Sequence, residues 1–281
     1  MTQGTVPGAI GTALPSGPPG SPPPPGFAST LSSEWAKLRT LRSTPITLAV
    51  AAALVIGFGA LITWGAFGAP AHHGHRTVTD PVGVIEASWL FGVLALAVLG
   101  VLLVTNEYSS GMIASTFLAT PKRSRVLAAK VAVFSVVICV VAEAVSVIDF
   151  FVGHAVISAF PQYYDPNLTG HNVLRAVLGM GLNATLSGLM GVGLGALLRN
   201  AAGAIAIAVG IGFVAPIVML ALPASIQNPL NEYWPTQAGQ QVGEVARQAH
   251  SLTAWWGLAD FFAFVLVLLG LSAYALTKRD A

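Results

Sequence analysis

From Ile46 to Phe67 the chain runs 22 residues without a charged side chain. A helix of that length, rising 1.5 Å per residue, crosses a hydrocarbon core about 30 Å thick. Five more apolar stretches follow, at about Val82–Val104, Val126–Phe151 (extending toward Phe160), Val173–Leu198, Ala201–Leu222 and Trp255–Leu276. Inside lipid a backbone must satisfy its own N–H and C=O groups, which leaves helices or closed barrels, and runs this long select helices. Charged residues make up 9% of the chain, against about 25% in a soluble domain. The fold expected is an all-α polytopic membrane protein of six transmembrane helices.

The remaining segments divide the chain into three parts. Residues 1–28 form a Pro/Gly-rich tail, including Pro22–Pro25, that cannot bury enough apolar surface to fold. It reads as a solvated tail or as a ligand for a proline-recognising partner. It lacks the basic start and apolar centre of a signal peptide. Residues 29–44 read as an amphipathic interfacial helix. Leu31, Trp35 and Leu38 share one face, and Glu34, Lys37 and Arg42 are expected to point to water or lipid headgroups. Trp35 suits a membrane boundary, and Pro45 suits the first turn of the next helix. Residues 45–281 hold the six spans.

Charge placement orients them. With a cytoplasmic N-terminus, the inner side carries Lys37, Arg39, Arg42, Lys122, Arg123, Arg125, Lys130, Arg199, Lys278 and Arg279. The outer side carries Arg76, Arg175 and Arg247. The positive-inside rule therefore predicts both termini in the cytoplasm.

Between spans two and three lies a short insert, Glu107 to Lys130. A helix is expected from near Ser109, closed by Pro121, with Met112, Ile113 and Phe117 on one side. Arg123, Arg125 and Lys130 follow it. The insert reads either as a cytoplasmic surface helix on which a partner can push, or as a basic loop between spans.

The pattern Glu107-Tyr108-x-x-Gly111-Met112-Ile113, then Pro121-x-Arg123, then Leu127-x-x-Lys130 resembles ABC-2 type exporter permeases, especially actinobacterial ones. Glu34-Trp35-x-Lys37-Leu38-Arg39-Thr40-x-Arg42-Ser43 is similar to that family's amphipathic N-terminal helix. Trp234-Pro235-Thr236-Gln237-Ala238-Gly239-Gln240 is similar to its last outer loop. The likeness covers about residues 30–278. Ala114 departs from it, standing where many relatives carry a polar or basic residue. The resemblance implies a permease subunit of the bacterial plasma membrane that pairs with a second permease subunit and rests on a separate ABC ATPase. It implies coupling to that ATPase through Glu107, Gly111, Met112, Ile113, Phe117, Pro121, Arg123 and Arg125. Trp35, Lys37, Leu38, Arg39 and Arg42 would line the interfacial helix, in contact with lipid. Trp234, Pro235, Ala238 and Gly239 would lie in an outer cap. No lysine in this chain follows a glycine, so no phosphate-binding Gly-Lys loop is present. ATP and Mg are accordingly expected in the partner. No catalytic residue, metal site or nucleic-acid partner is expected in this chain.

Other residues invite different readings. Glu143 and Asp149 could serve ion coupling in a secondary transporter, or interfacial and interhelical structure; Asp260 joins them as an acid near a span end. A secondary transporter would need an internal repeat, which the two halves do not display. His72, His73 and His75 could bind a metal or sit in a solvated loop, and their spacing matches no strong motif. Gly191 and Gly195 permit close helix packing, within the bundle or across a dimer. Pro216 can kink the fifth span. Cys139, the one cysteine, is expected to pack in an apolar run. In the loop 223–253, residues Gly243–His250 are expected to form a short interfacial helix. A membrane enzyme and a transport-free anchor are further alternatives, and nothing in the spans selects a substrate.

Overall fold

The computed structural model describes residues 26–40, 43–68, 81–112, 123–160, 170, 172–245 and 251–278. Every element among them is helical. A helix α1 (Phe27–Thr40) precedes the first span, α2 (Ser43–Gly68). A short α3 (Pro81–Glu86) leads into α4 (Trp89–Ser109). Next come α5 (Arg123–Ser158) and α6 (Val173–Leu198). The fifth span is split into α7 (Ala201–Val209), a π-helical turn (Gly210–Val214) and α8 (Ala215–Met219). Two short helices, α9 (Ala224–Tyr233) and α10 (Pro235–Gln240), and a 3-10 turn (Gln241–Gly243) precede α11 (Ala254–Lys278). Six of these segments are long and apolar enough to cross a membrane. The chain is an all-α, multi-pass membrane protein.

The second span differs from its expected start. It begins at Trp89, because the helix breaks at Ala87–Ser88. The Ser88 hydroxyl donates to the Asp149 carboxylate at 2.9 Å, a tertiary partner that local pattern does not reveal. Of the expected helix at Gly243–His250, the described residues 243–245 are not α-helical. Residues 246–250 lie outside the described residues, and Glu244 is extended. The helices of this segment lie upstream, where Pro223 and Pro235 each precede or open a new one.

The core is built around α6. It packs on α4, α5 and α11, and almost all of its apolar stretch is buried. Lipid supplies no hydrophobic drive between helices, so close contact must come from small residues and side-chain hydrogen bonds. Both are present. A Cβ on Gly191 would run into the carbonyl oxygen of Ala97, and one on Gly100 into that of Gly188. A Cβ on Gly195 would lie 2.9 Å from the Val101 carbonyl oxygen. The Gly191/Gly195 pair therefore seats α6 on α4 within one subunit. Ser146 on α5 donates to the Val177 carbonyl at 2.6 Å, and Ser272 on α11 to the Gly193 carbonyl at 2.8 Å.

Gly191→Leu is expected to lower the melting midpoint of the solubilised protein, since overpacking costs about 1–3 kcal/mol. Gly65→Ala, whose added methyl meets nothing within 4 Å, should leave it unchanged. A silent Gly191→Leu would contradict the α4–α6 contact.

Candidate functional site

Four charged side chains meet where α1, the end of α4 and the start of α5 converge. The Lys130 ammonium lies 2.6 Å from Glu34 Oε2 and 2.8 Å from Glu107 Oε1. The Lys37 ammonium lies 2.7 Å from Glu34 Oε1 and 3.1 Å from the same Glu107 oxygen. The side chains of Glu34, Glu107 and Lys130 are only 3–6% exposed, while Lys37 is 28% exposed. The set is neutral overall, and each charge has an opposite partner. That is the condition under which buried charges are tolerated.

Each residue arrives by a local rule. On α1, Thr30, Glu34 and Leu38 are buried at spacings of four, which is one helical face. Glu107 sits in the last turn of α4, and Lys130 lies two turns into α5. Between these two helices runs the insert. The cluster thus clamps both ends of the insert to α1. Burial alone would lower the Lys37 pKa, but contact with Glu34 and Glu107 outweighs it and holds the ammonium above 10.5. A raised lysine contributes stability that is complete below its ordinary value and is lost as pH rises through the folded value. The contribution of Lys37 is therefore intact at neutral pH.

Beside the cluster a cavity of about 240 Å³ opens among α1, α2, α4 and α5, lined partly by Thr40, Thr44, Leu102 and Asn106. A second contact braces this end: the Arg199 guanidinium lies 5.3 Å from the Tyr108 ring centroid, linking the turn after α6 to α4.

The site residues expected from sequence fall as follows. Glu107 and Lys37 belong to the cluster. Leu38 is buried beside it. Trp35, Arg39, Met112 and Arg125 are exposed. Gly111 has φ +70° and ends α4, a conformation that a side chain strains. Arg123 opens α5. Arg42, Ile113, Phe117 and Pro121 lie outside the described residues, and with them the expected helix from Ser109 beyond Met112. Glu34 is a correction: it faces neither water nor headgroups but is buried between two lysines. The helix face that packs is Thr30–Glu34–Leu38, while Trp35 is 51% exposed. Sequence reasoning did not place Glu34 and Lys130 in the site. The available signal was a lysine two turns inside an apolar helix, where it needs a partner.

At the opposite end, Ala238 and Gly239 are buried. A Cβ on Gly239 would meet Asn183 Oδ1 and Phe261. Trp234 and Pro235 are half-buried. Glu143 and Asp149 face different helices. The Glu143 carboxylate lies against Gly181 of α6, and the Asp149 carboxylate against Gly59 of α2. Among the described residues no group of His, Cys, Asp and Glu could hold a metal ion; His72, His73 and His75 lie outside them.

Lys130→Met leaves two buried carboxylates sharing the part-exposed Lys37 and is expected to destabilise the fold by about 3–5 kcal/mol. Lys37→Met should cost clearly less, because Lys37 is partly exposed. Melting midpoints of the two variants test the order, and the reverse order would contradict the assignment of Lys130 as the buried centre.

A family model described as ABC-2 family transporter protein matches residues 30–222. No curated protein matches the chain. The family match covers more than half of the sequence and includes most of α1, the cluster and five of the six spans. The chain belongs to the ABC-2 transporter family, as a membrane permease subunit of an ABC transporter.

Proposed function

We propose that this permease subunit exports a substrate across the bacterial plasma membrane, driven by ATP hydrolysis in a separate ABC ATPase chain. The observation that carries this reading is the neutral cluster of Glu34, Lys37, Glu107 and Lys130, which binds α1 to both flanks of the insert. Family membership supplies the class of machine, and the cluster supplies a reason for force at the insert to reach the bundle. In this scheme the α1 end faces the cytoplasm, as the positive-inside rule predicts, and both termini lie there. The ATPase presses on the insert between Ser109 and Thr120. Gly111, Met112, Ile113 and Phe117 lie within that stretch, and Pro121, Arg123 and Arg125 follow it. Because α1, α4 and α5 are joined by buried ion pairs, displacement of the insert moves them together.

A second permease subunit completes the transporter. The spans α2 and α7–α8 bury little of their apolar surface within this subunit, which leaves area for a partner and for lipid. ATP and Mg belong to the ATPase chain. This chain contributes binding surface and motion, and no catalytic group.

The test is purification from the native membrane in mild detergent, with mass spectrometry and a vanadate-sensitive ATPase assay. An ATPase chain carrying a phosphate-binding loop is expected to co-purify. Gly111→Pro should release it or uncouple hydrolysis, because proline fixes φ near −65° and cannot adopt +70°. If instead the chain purifies alone and moves solute in proteoliposomes under a proton gradient, the ATP-driven reading fails. Glu143 and Asp149 then become the residues of interest for ion coupling.

A further inference from the structure

The π-helical turn in the fifth span leaves one carbonyl without an intrahelical donor. The Ala215 N–H bonds the Gly210 carbonyl, five residues back. The Ile211 carbonyl has thereby lost its usual α-helical donor, which is that same Ala215 N–H. Its π-register donor would be residue 216, and Pro216 has no N–H. Within a membrane-spanning segment an unsatisfied carbonyl is expensive. Two side chains from the short helices satisfy it. The Trp234 indole N–H donates to the Ile211 oxygen at 2.8 Å, and the Thr236 hydroxyl at 3.3 Å. Both precede or open α10, which is wedged between α6 and α11. Gly239 abuts Asn183 and Phe261, Val242 fills the space at Gly179, and Gly257 lies against the Ala238 carbonyl. Thr236, Gly212 and Phe213 also wall a cavity of about 20 Å³ beside Asn183 and Ser187, large enough for one water.

We infer that Trp234 and Thr236 are positioning residues that latch the α10 segment onto the break in the fifth span through the Ile211 carbonyl, so that this segment follows the movement of α7–α8. The break is a joint, since a π turn followed by proline interrupts the hydrogen-bond ladder that stiffens a helix. The latch converts bending at that joint into displacement of the segment that closes this end of the bundle. Its release exposes the polar interior at Asn183 and Ser187. The inference rests on the exporter reading only in assigning this end to the outer face.

The test is hydrogen–deuterium exchange on the full chain in nanodiscs, following residues 234–243. Trp234→Phe keeps the ring but removes the donor, and should raise exchange there by about fivefold, the shift that one ordinary hydrogen bond supports. Thr236→Val should raise it less. Pro216→Ala gives the fifth span back an N–H, so the Ile211 carbonyl can be satisfied within the helix and no longer needs Trp234. It should free the α10 segment while leaving the global melting midpoint unchanged or raised. The double variant Trp234→Phe/Pro216→Ala should exchange no faster than either single variant, because both act on one carbonyl. Additive effects, or unchanged exchange in Trp234→Phe, would overturn the latch. The readout needs no ATPase, so its failure is separate from failure of the exporter reading.

Discussion

A polar group removed from water must find a partner, and in a bundle surrounded by lipid that rule decides where almost every informative residue sits. Glu34, Glu107 and Lys130 are buried because they find one another. Ser88 marks the start of the second span because Asp149 accepts its hydrogen bond. Ile211 tolerates a π turn because Trp234 supplies what Pro216 cannot. Apolar packing builds the walls, but these pairings fix which wall meets which. The hydrophobic effect cannot make that choice, since lipid tails are as apolar as leucine.

The sequence disclosed whatever depends on near neighbours. The fourth span was legible to both ends, Val173 and Leu198, because polar residues flank its apolar run; in the structure Asn172 and Arg199 bound it at positive φ. Gly191 and Gly195 announced a close approach, though not its partner. What stayed hidden depends on residues far along the chain. Glu34 looks like a surface charge on a helix with Lys37 three residues on. Its burial follows from Lys130, 96 residues away. The break at Ala87–Ser88 carries no proline. The irregularity of the fifth span is flagged by Pro216, but its stabilising partner, Trp234, lies 23 residues downstream of Ile211. Family likeness marked both the N-terminal helix and the Trp234 segment as notable without saying what either touches.

These pairings also divide the bundle into stiff and yielding parts. The α4 helix begins beside the Ser88–Asp149 bond and ends in the charge cluster, and its middle is pressed against α6 by glycine contacts at Gly100, Gly191 and Gly195. Protein interiors packed so closely transmit displacement instead of absorbing it. A force applied to the insert therefore enters a continuous body formed by α1, α4, α5 and α6. The fifth span is different. It follows α6 after only Arg199 and Asn200, is interrupted at mid-length, and buries little of its surface. One end follows the stiff body through the two-residue turn Arg199–Asn200, where Asn200 caps α7 by accepting the Gly203 N–H at 2.8 Å. Its middle is held through Ile211 to a segment packed on α6 and α11. A rigid body that turns beneath a helix held at its start and at its joint concentrates bending at the weakest rung. The weakest rung is the one where the helix cannot supply its own donor.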